Sequence, residues 1–348
     1  MINHDARQQR ESVSESREAL RQLIYGYQRT QLVAIAAKLG LPDLLAAGPL
    51  LLHEIATQTT VPEAVLERML NGLVSYGVCA QDDDGRYRLT PVGDGLRADV
   101  PGSLATLAVL SGEEYYRAWL GFEGFLADGK TPFAHAHGAP LFDWYQAHPA
   151  FGDRFHRRMA ARVAAFAPGV AAAVDLATAR LIVDIGGGVG ILLAAFLDRW
   201  PRARGILFDL PAAAATAAER IATAGLSERV EIVSGDFFLE VPAGGDVYVL
   251  CQILHDWDDA QCRAILGNIR SAVQPEGRLL IAEMLMPERV NGPSAVVDLD
   301  LLMMALTGGR ERSVSAFRVL LERAGWTLAG VHEAGTPGGL SVLVALPA

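Results

Sequence analysis

Only three cysteines occur in the 348 residues, Cys79, Cys251 and Cys262. They are too few and too badly spaced for a disulfide framework or a zinc site, which fits a reducing cytosol and no bound metal. No uncharged apolar run reaches the roughly 18 residues needed to span a membrane. The first twenty residues are polar and charged and hold no apolar signal-peptide core. These absences predict a cytoplasmic protein with no membrane partner. Positive charge is also short: the net charge of −10 argues against a nucleic-acid partner, whose phosphates must be neutralised. What the chain has is an apolar content of 51% and enough length for two domains, each with its own core.

The stretch DIGGGVG, residues 184–190, follows the apolar run Leu181-Ile182-Val183 and precedes the apolar segment Ile191 to Trp200. It reads as strand, glycine turn and helix, a turn that brings backbone N–H groups close to a ligand. The next strand ends in Asp209, 25 residues after Asp184, where a carboxylate can accept from both ribose hydroxyls of an adenosine. The dinucleotide fingerprint fails, because Ile191 stands where Gly or Ala is required and Asp184 sits two positions before the first glycine. No Lys follows the loop, which excludes a P-loop. A nucleoside without a pyrophosphate remains, as in S-adenosylmethionine.

In chain order, residues 17–39 read as one long helix with Leu20, Leu23, Ile24, Tyr27 and Ile35 near one face and Gly40 as its stop. A helix so apolar needs a partner, within its domain or from a second subunit. From Leu41 to Asp99, two helical segments and the hairpin CAQDDDGRYRLT give a winged-helix module. Its charges oppose DNA binding: four arginines stand against eight acids between His53 and Asp99. Association is the better reading. Residues 104–175 read as helical throughout and hold most of the aromatic side chains, with His135 and His137 in a Gly/Pro-bounded loop lacking a nearby carboxylate. From about residue 178 strands and helices alternate, which implies a mostly parallel sheet covered on both faces. Strands are expected at 181–185, 205–209, 230–233, 246–251, 278–283, 327–333 and 340–346, the last inserted antiparallel after the turn GTPGG. The expected domains are a winged-helix domain over 1–103, a helical linker and pocket segment over 104–177, and a Rossmann-like α/β domain over 178–348.

Ligands of such sheets bind beyond the carboxyl ends of the strands, so the residues that finish each strand are the candidates. Asp184 and Asp209 finish the first two; Asp236 and Phe237 follow the third, a carboxylate and a ring suited to adenine. The fourth leads to His255, Asp256 and Trp257, the fifth ends in Glu283, and the loop TGGRERS supplies Glu311. A neutral imidazole can take a phenol proton while flanking carboxylates orient it and stabilise the imidazolium. The phenolate would then displace a sulfonium methyl in line.

With these residues assembled, the chain resembles the class I S-adenosylmethionine-dependent O-methyltransferases of the plant caffeate and bacterial antibiotic type. DIGGGVG, FDLP, GDFF, ILHDWDD, GRLLIAEML and LTGGRERS occur in the family's order. The resemblance implies that His255 is the base and that Glu283 and Glu311 are its flanking acids. It implies that Gly186, Gly188, Asp209, Asp236 and Phe237, with Asp184 and Leu210 beside them, hold S-adenosylmethionine, leaving S-adenosylhomocysteine as product. It further implies that Trp257 packs on adenine. Tyr25, Trp119, Met159, Arg162, Phe166, Asp256, Met303 and Met304 fall where acceptor contacts are expected. An obligate homodimer is implied, its first helix reaching the partner's active site, with a phenolic secondary metabolite or its precursor as acceptor. Cys251 departs from the basic residue of many plant members, so one cofactor contact is lost or moved. Relatives of this fold that decarboxylate, hydroxylate or methylate nitrogen are the alternatives. A ligand-sensing winged-helix regulator and a nicotinamide oxidoreductase are the readings from other classes.

Overall fold

The computed structural model describes residues 15–336 and 338–348. Most of the polar first twenty residues, and Pro337 of the expected GTPGG turn, lie outside the described residues. The chain divides into two compact units, Met1–Tyr116 and Arg117–Ala348.

In the first unit the helix expected over 17–39 runs from residue 15 but turns at Tyr25 before resuming as Gly26–Lys38. Gly26 is a poor helix former, and here the Gln28 amide bonds the Tyr25 carbonyl three residues back at 3.0 Å, a tightened turn. The helix stops at Gly40, whose φ of 65° an L side chain seldom adopts. Helices Leu41–Ala46, Leu52–Thr59 and Glu63–Ser75 follow, then the antiparallel pair β1 (Cys79–Gln81) and β2 (Tyr87–Leu89). The acidic wing tip closes on Asp82, whose Oδ1 accepts from the Arg86 amide at 2.8 Å. Leu66, Leu70 and Leu73 share one helical face and meet Ile55 and Tyr87 in the core. Leu20, Leu23, Ile24 and Tyr27 remain exposed within the chain.

The second unit is built on a seven-stranded sheet. Its strands are β3 (Leu181–Ile185), β4 (Arg204–Asp209), β5 (Val230–Ser234), β6 (Val247–Cys251), β7 (Arg278–Met284), β8 (Trp326–Glu333) and β9 (Leu340–Pro347). Their order is β5-β4-β3-β6-β7-β9-β8, with β9 antiparallel between β7 and β8. Alternation divides β6 between two cores: Val247 and Val249 face helices Ile191–Arg199 and Pro149–Ala172, while Tyr248 and Leu250 face Asp259–Ala272 and Val314–Arg323. Strand order reverses between β3 and β6, which opens the ligand crevice beyond their carboxyl ends.

The segment expected to be continuously helical is broken at its glycines and prolines. Phe122–Asp128 ends at Gly129 (φ 76°), Pro132–His137 at Gly138 (φ 82°), and Leu141–Ala147 gives way to Pro149–Ala172. His135 and His137 therefore belong to a helix, not a loop: Thr131 caps it, accepting from the Ala134 amide at 3.1 Å, and Pro132 opens it. A carboxylate is also nearby, since His135 Nε2 lies 2.8 Å from Asp128 Oδ1. Among the described residues no helix is long and apolar enough to cross a membrane.

Candidate active site

The crevice begins with the glycine loop after β3. A Cβ at Gly186 would come within 2.6 Å of Ile253, and one at Gly187 within 2.4 Å of Leu207 and 2.6 Å of the Asp184 carboxylate. The loop is thus pressed against its own sheet, and only glycine permits it. Asp209, ending β4, is held by two backbone donors: the Gly188 amide to Oδ2 and the Leu210 amide to Oδ1, both at 2.7 Å. Each oxygen keeps a lone pair for a further donor, as a ribose hydroxyl would be. The Leu210 side chain is itself exposed. Asp184 is buried and its Oδ2 has no partner. Burial first, then the charge of Asp209, pushes its carboxyl up to about 7, so a cationic partner there would be welcome. These features fit an adenosyl amino-acid cofactor.

Beyond β5, Asp236 Oδ1 accepts from the Phe238 amide at 2.8 Å, and the Asn268 amide group donates to the Phe237 carbonyl at 2.9 Å. The Phe237 ring meets Trp257 edge-on at 6.0 Å, and Phe142 stacks on Trp257 at 5.9 Å. Asp236, Phe237 and Trp257 thus share one aromatic corner.

The strand β6 delivers His255 through a tight turn. Gln252 takes a left-handed φ of 54°, rare for a residue with a side chain, and Leu254–Asp256 form one turn of 3-10 helix. Glu283, at the end of β7, is fully buried. Its Oε1 accepts from the Ile253 and Leu254 amides, each at 3.1 Å. Its Oε2, free of hydrogen bonds, lies 3.6 Å from His255 Nδ1. Glu311 approaches the same nitrogen more closely, with Oε1 at 2.7 Å. Nδ1 therefore carries the proton while Glu311 is ionised, which leaves Nε2 as the basic nitrogen. His255, Glu283 and Glu311 come within 4.8 Å of one another, the one such metal-capable cluster among the described residues. A cation there would have to displace the proton on Nδ1.

Burial alone would depress the His255 pKa, but the charges of Glu283 and Asp256 and the contact with Glu311 outweigh it and lift the imidazole to about 9. Burial lifts Glu283 to about 7 and Asp256 to about 6, each against the pull of His255. The cluster holds a proton to higher pH than a free imidazole would.

The other expected contacts fare unevenly. Arg162, half-buried on helix Pro149–Ala172, acts electrostatically on both Asp256 and Cys251, which sets it beside the crevice. Phe166, one turn further on, is 2% exposed and packs in the sheet core with Ala167 and Val170. Met303 is buried, Met304 and Met159 partly so, and Trp119 is exposed and stacked on Phe122. Tyr25 lies at the turn in the first unit, 45% exposed.

Three positioning groups were not anticipated. Asp300 accepts from the Glu311 amide at 2.7 Å. Gly309 runs against the His255 turn so closely that a Cβ would stand 2.0 Å from the His255 carbonyl. Arg312, fully buried, binds the turn's carbonyls and Asp259. The sequence offers no signal for Arg312: Arg310, Glu311 and Ser313 flank it, a polar stretch that does not announce a buried guanidinium.

Comparison with known proteins agrees with this architecture. An O-methyltransferase domain model matches residues 119–327, and an O-methyltransferase dimerisation domain model matches 21–98. The chain is 40% identical to the phenazine O-methyltransferase PhzM of Lysobacter antibioticus, over 94% of this chain and 95% of the relative. It is 39% identical to the 3-amino-4-hydroxybenzoate 4-O-methyltransferase of Streptomyces cremeus, over 89% and 85%. It is 35% identical to the 8-amino-8-demethylriboflavin N,N-dimethyltransferase of Streptomyces davaonensis, over 86% and 87%. Among solved structures, the mitomycin 7-O-methyltransferase MmcR superposes with a TM-score of 0.91 at 34% identity, covering 97% of this chain and 99% of that one. The O-methyltransferase NcsB1 from neocarzinostatin biosynthesis, solved with S-adenosyl-L-homocysteine and 1,4-dihydroxy-2-naphthoic acid, superposes with a TM-score of 0.81 at 29% identity, covering 92% and 96%.

Proposed function

The chain belongs to the S-adenosylmethionine-dependent O-methyltransferase family, and from that premise we propose that it methylates a phenolic hydroxyl of an aromatic secondary metabolite or its precursor, with His255 as general base. The observation that carries the reading is the 2.7 Å contact of Glu311 with His255 Nδ1, which reserves Nε2 for the acceptor. Glu283 supports the same arrangement by tying down the amides of the turn that presents the ring.

In this reading Asp209 takes the ribose hydroxyls, Asp236 and Phe237 the adenine, and Trp257 packs beside it. The glycine loop and Asp184 hold the amino-acid end. When bound, S-adenosylmethionine supplies an electrophilic methyl group on a sulfonium and leaves as S-adenosylhomocysteine. Nε2 of His255 removes the phenol proton, and the phenolate oxygen forms the new bond to carbon as the carbon–sulfur bond breaks. Glu311 and Glu283 then stabilise the imidazolium, which returns its proton to solvent. Arg162 and Asp256 supply polar contacts for the acceptor, and Met159, Met303 and Met304 apolar ones. The exposed Leu23, Ile24 and Tyr27, within the segment matched by the dimerisation model, support a homodimer, and we place its work in the cytoplasm.

His255→Ala should lower turnover at least about a hundredfold, the usual contribution of a general base. Calorimetric affinity for S-adenosylhomocysteine should stay near wild type. A second reading, transfer to an amine, is favoured by the N-methylating relative. A neutral amine attacks through its own lone pair, so unimpaired turnover of an aromatic amine by His255→Ala would select it.

A further inference from the structure

Arg312 has no part in the chemistry proposed above, yet it is among the most completely buried polar side chains of the molecule, at 2% exposure. A guanidinium cannot shed its charge, so such burial demands acceptors in the right plane. It has them. Nη1 donates to the Leu254 carbonyl and Nη2 to the Trp257 carbonyl, each at 2.8 Å. Nε and Nη2 both reach Asp259 Oδ1, at 3.1 and 2.9 Å. The two carbonyls bracket His255 and Asp256. The Arg312 backbone is anchored in turn, pairing with Leu285 and accepting from the Met286 amide at 3.1 Å just beyond β7, the strand that carries Glu283. One residue thus ties the His255 turn, the Glu311 loop and the end of β7 together.

We infer that Arg312 is a positioning residue that holds the His255 imidazole in register with Glu311, its guanidinium clamping the same turn that the Glu283 carboxylate holds. Glu283 collects the turn's amides; Arg312 collects its carbonyls. The distance between Glu311 and Nδ1 depends on both loops keeping station, and Arg312 is the side chain that spans them. Lysine has the same charge but no planar fork, and a single ammonium cannot serve two carbonyls and a carboxylate in that plane.

The inference concerns the same base as the proposed function and rests on that reading for its catalytic meaning, but its test reads the imidazole directly. His255 would be titrated by NMR in protein labelled with carbon-13 at the histidine rings, with His255→Gln to assign the signal. The charged groups acting on the ring are Glu283 from β7, Glu311 from its loop and Asp256 from the turn, and Arg162 from helix Pro149–Ala172 acts in turn on Asp256. Arg312→Lys leaves all of these charges in place. It should nonetheless weaken proton affinity at His255 at least about tenfold, as Glu311 loses its fixed contact. Asp259→Glu, on a partly exposed helix start, should move it the same way by less. Arg310→Ala, which removes an outer partner of Asp259 without touching the turn, should leave it unchanged. A folded Arg312→Lys protein with a wild-type His255 titration would overturn the clamp. Should Arg312→Lys fail to fold, a wild-type titration in Asp259→Glu would do the same. Absence of methyl transfer by the wild-type protein would refute the proposed function and leave this result standing.

Discussion

Two histidines of the second unit each meet a carboxylate at nearly the same distance: His135 and Asp128 at 2.8 Å, His255 and Glu311 at 2.7 Å. Their surroundings differ. The first pair has side-chain exposures of 27% and 41%, with the Lys130 ammonium 3.7 Å from the same acid. The second has exposures of 7% and 1%, with two further carboxylates acting on the ring. Water and a neighbouring cation screen the first contact, and such a pair contributes little. In the second, low polarity and unbalanced negative charge turn the same contact into a raised proton affinity. A hydrogen-bond length does not distinguish a helix-end ornament from a base; the charge balance around it does.

The widest separation between the pairs should appear in turnover. Beside the large loss expected for His255→Ala, His135→Ala should leave activity at the wild-type level, and a comparable loss at His135 would remove the distinction. Next comes Glu311→Gln, which preserves an acceptor for Nδ1 but removes a charge. The proposed base acts only when neutral, so its raised pKa places the acid limb of the wild-type kcat/KM profile above the ordinary imidazole value of 6.5. Glu311→Gln should shift that limb to lower pH and reduce the plateau by on the order of tenfold. A limb that does not move would mean that Glu311 leaves the ring's proton affinity untouched.

Stability offers a smaller but independent contrast. The folded-state pKa of His255 is raised from 6.5 to about 9, so the protonated ring favours the folded state. That contribution is fully present below 6.5 and is lost as pH rises through about 9. The difference in Tm between wild type and His255→Gln should therefore shift in favour of His255→Gln between about pH 6 and pH 9.5. A difference independent of pH would deny the shift.

Much of this site could be read in the sequence because a parallel sheet brings its strand ends to one edge. Asp184, Asp209, Asp236, His255 and Glu283 all lie at or just past such ends, so finding the strands found them. Phe166 is harder to read for the complementary reason. Helical spacing groups Arg162 and Phe166 on one face, but the level at which that face leaves the crevice and enters the core depends on where the helix lies along the sheet. The His135 partner was hidden because Gly129 and Pro132 fold two short helices back to bring Asp128 within reach. Asp300 and Arg312 were hidden because their partners are backbone amides and carbonyls of other segments, which no pattern of side chains announces.

The smallest effect belongs to the exposed pair, and its sign makes it useful. The Lys130 amide first, and then His135, hold the Asp128 carboxyl below its usual range. A carboxylate with a depressed folded pKa stabilises above its unfolded value of 3.8 and loses that contribution as pH falls through the folded one. The buried cluster behaves oppositely, weakening as pH rises. Asp128→Asn should therefore leave Tm almost unchanged near neutrality, with any deficit fading on acidification. Its ion-pair component should also disappear in about 1 M salt, where the Debye length falls to about 3 Å. The buried pair, out of reach of mobile ions, should keep its titration under the same salt. Were Asp128→Asn to produce a large, salt-resistant loss of Tm, the exposed pair would be no mere surface contact. Exposure and screening would then cease to separate the two contacts.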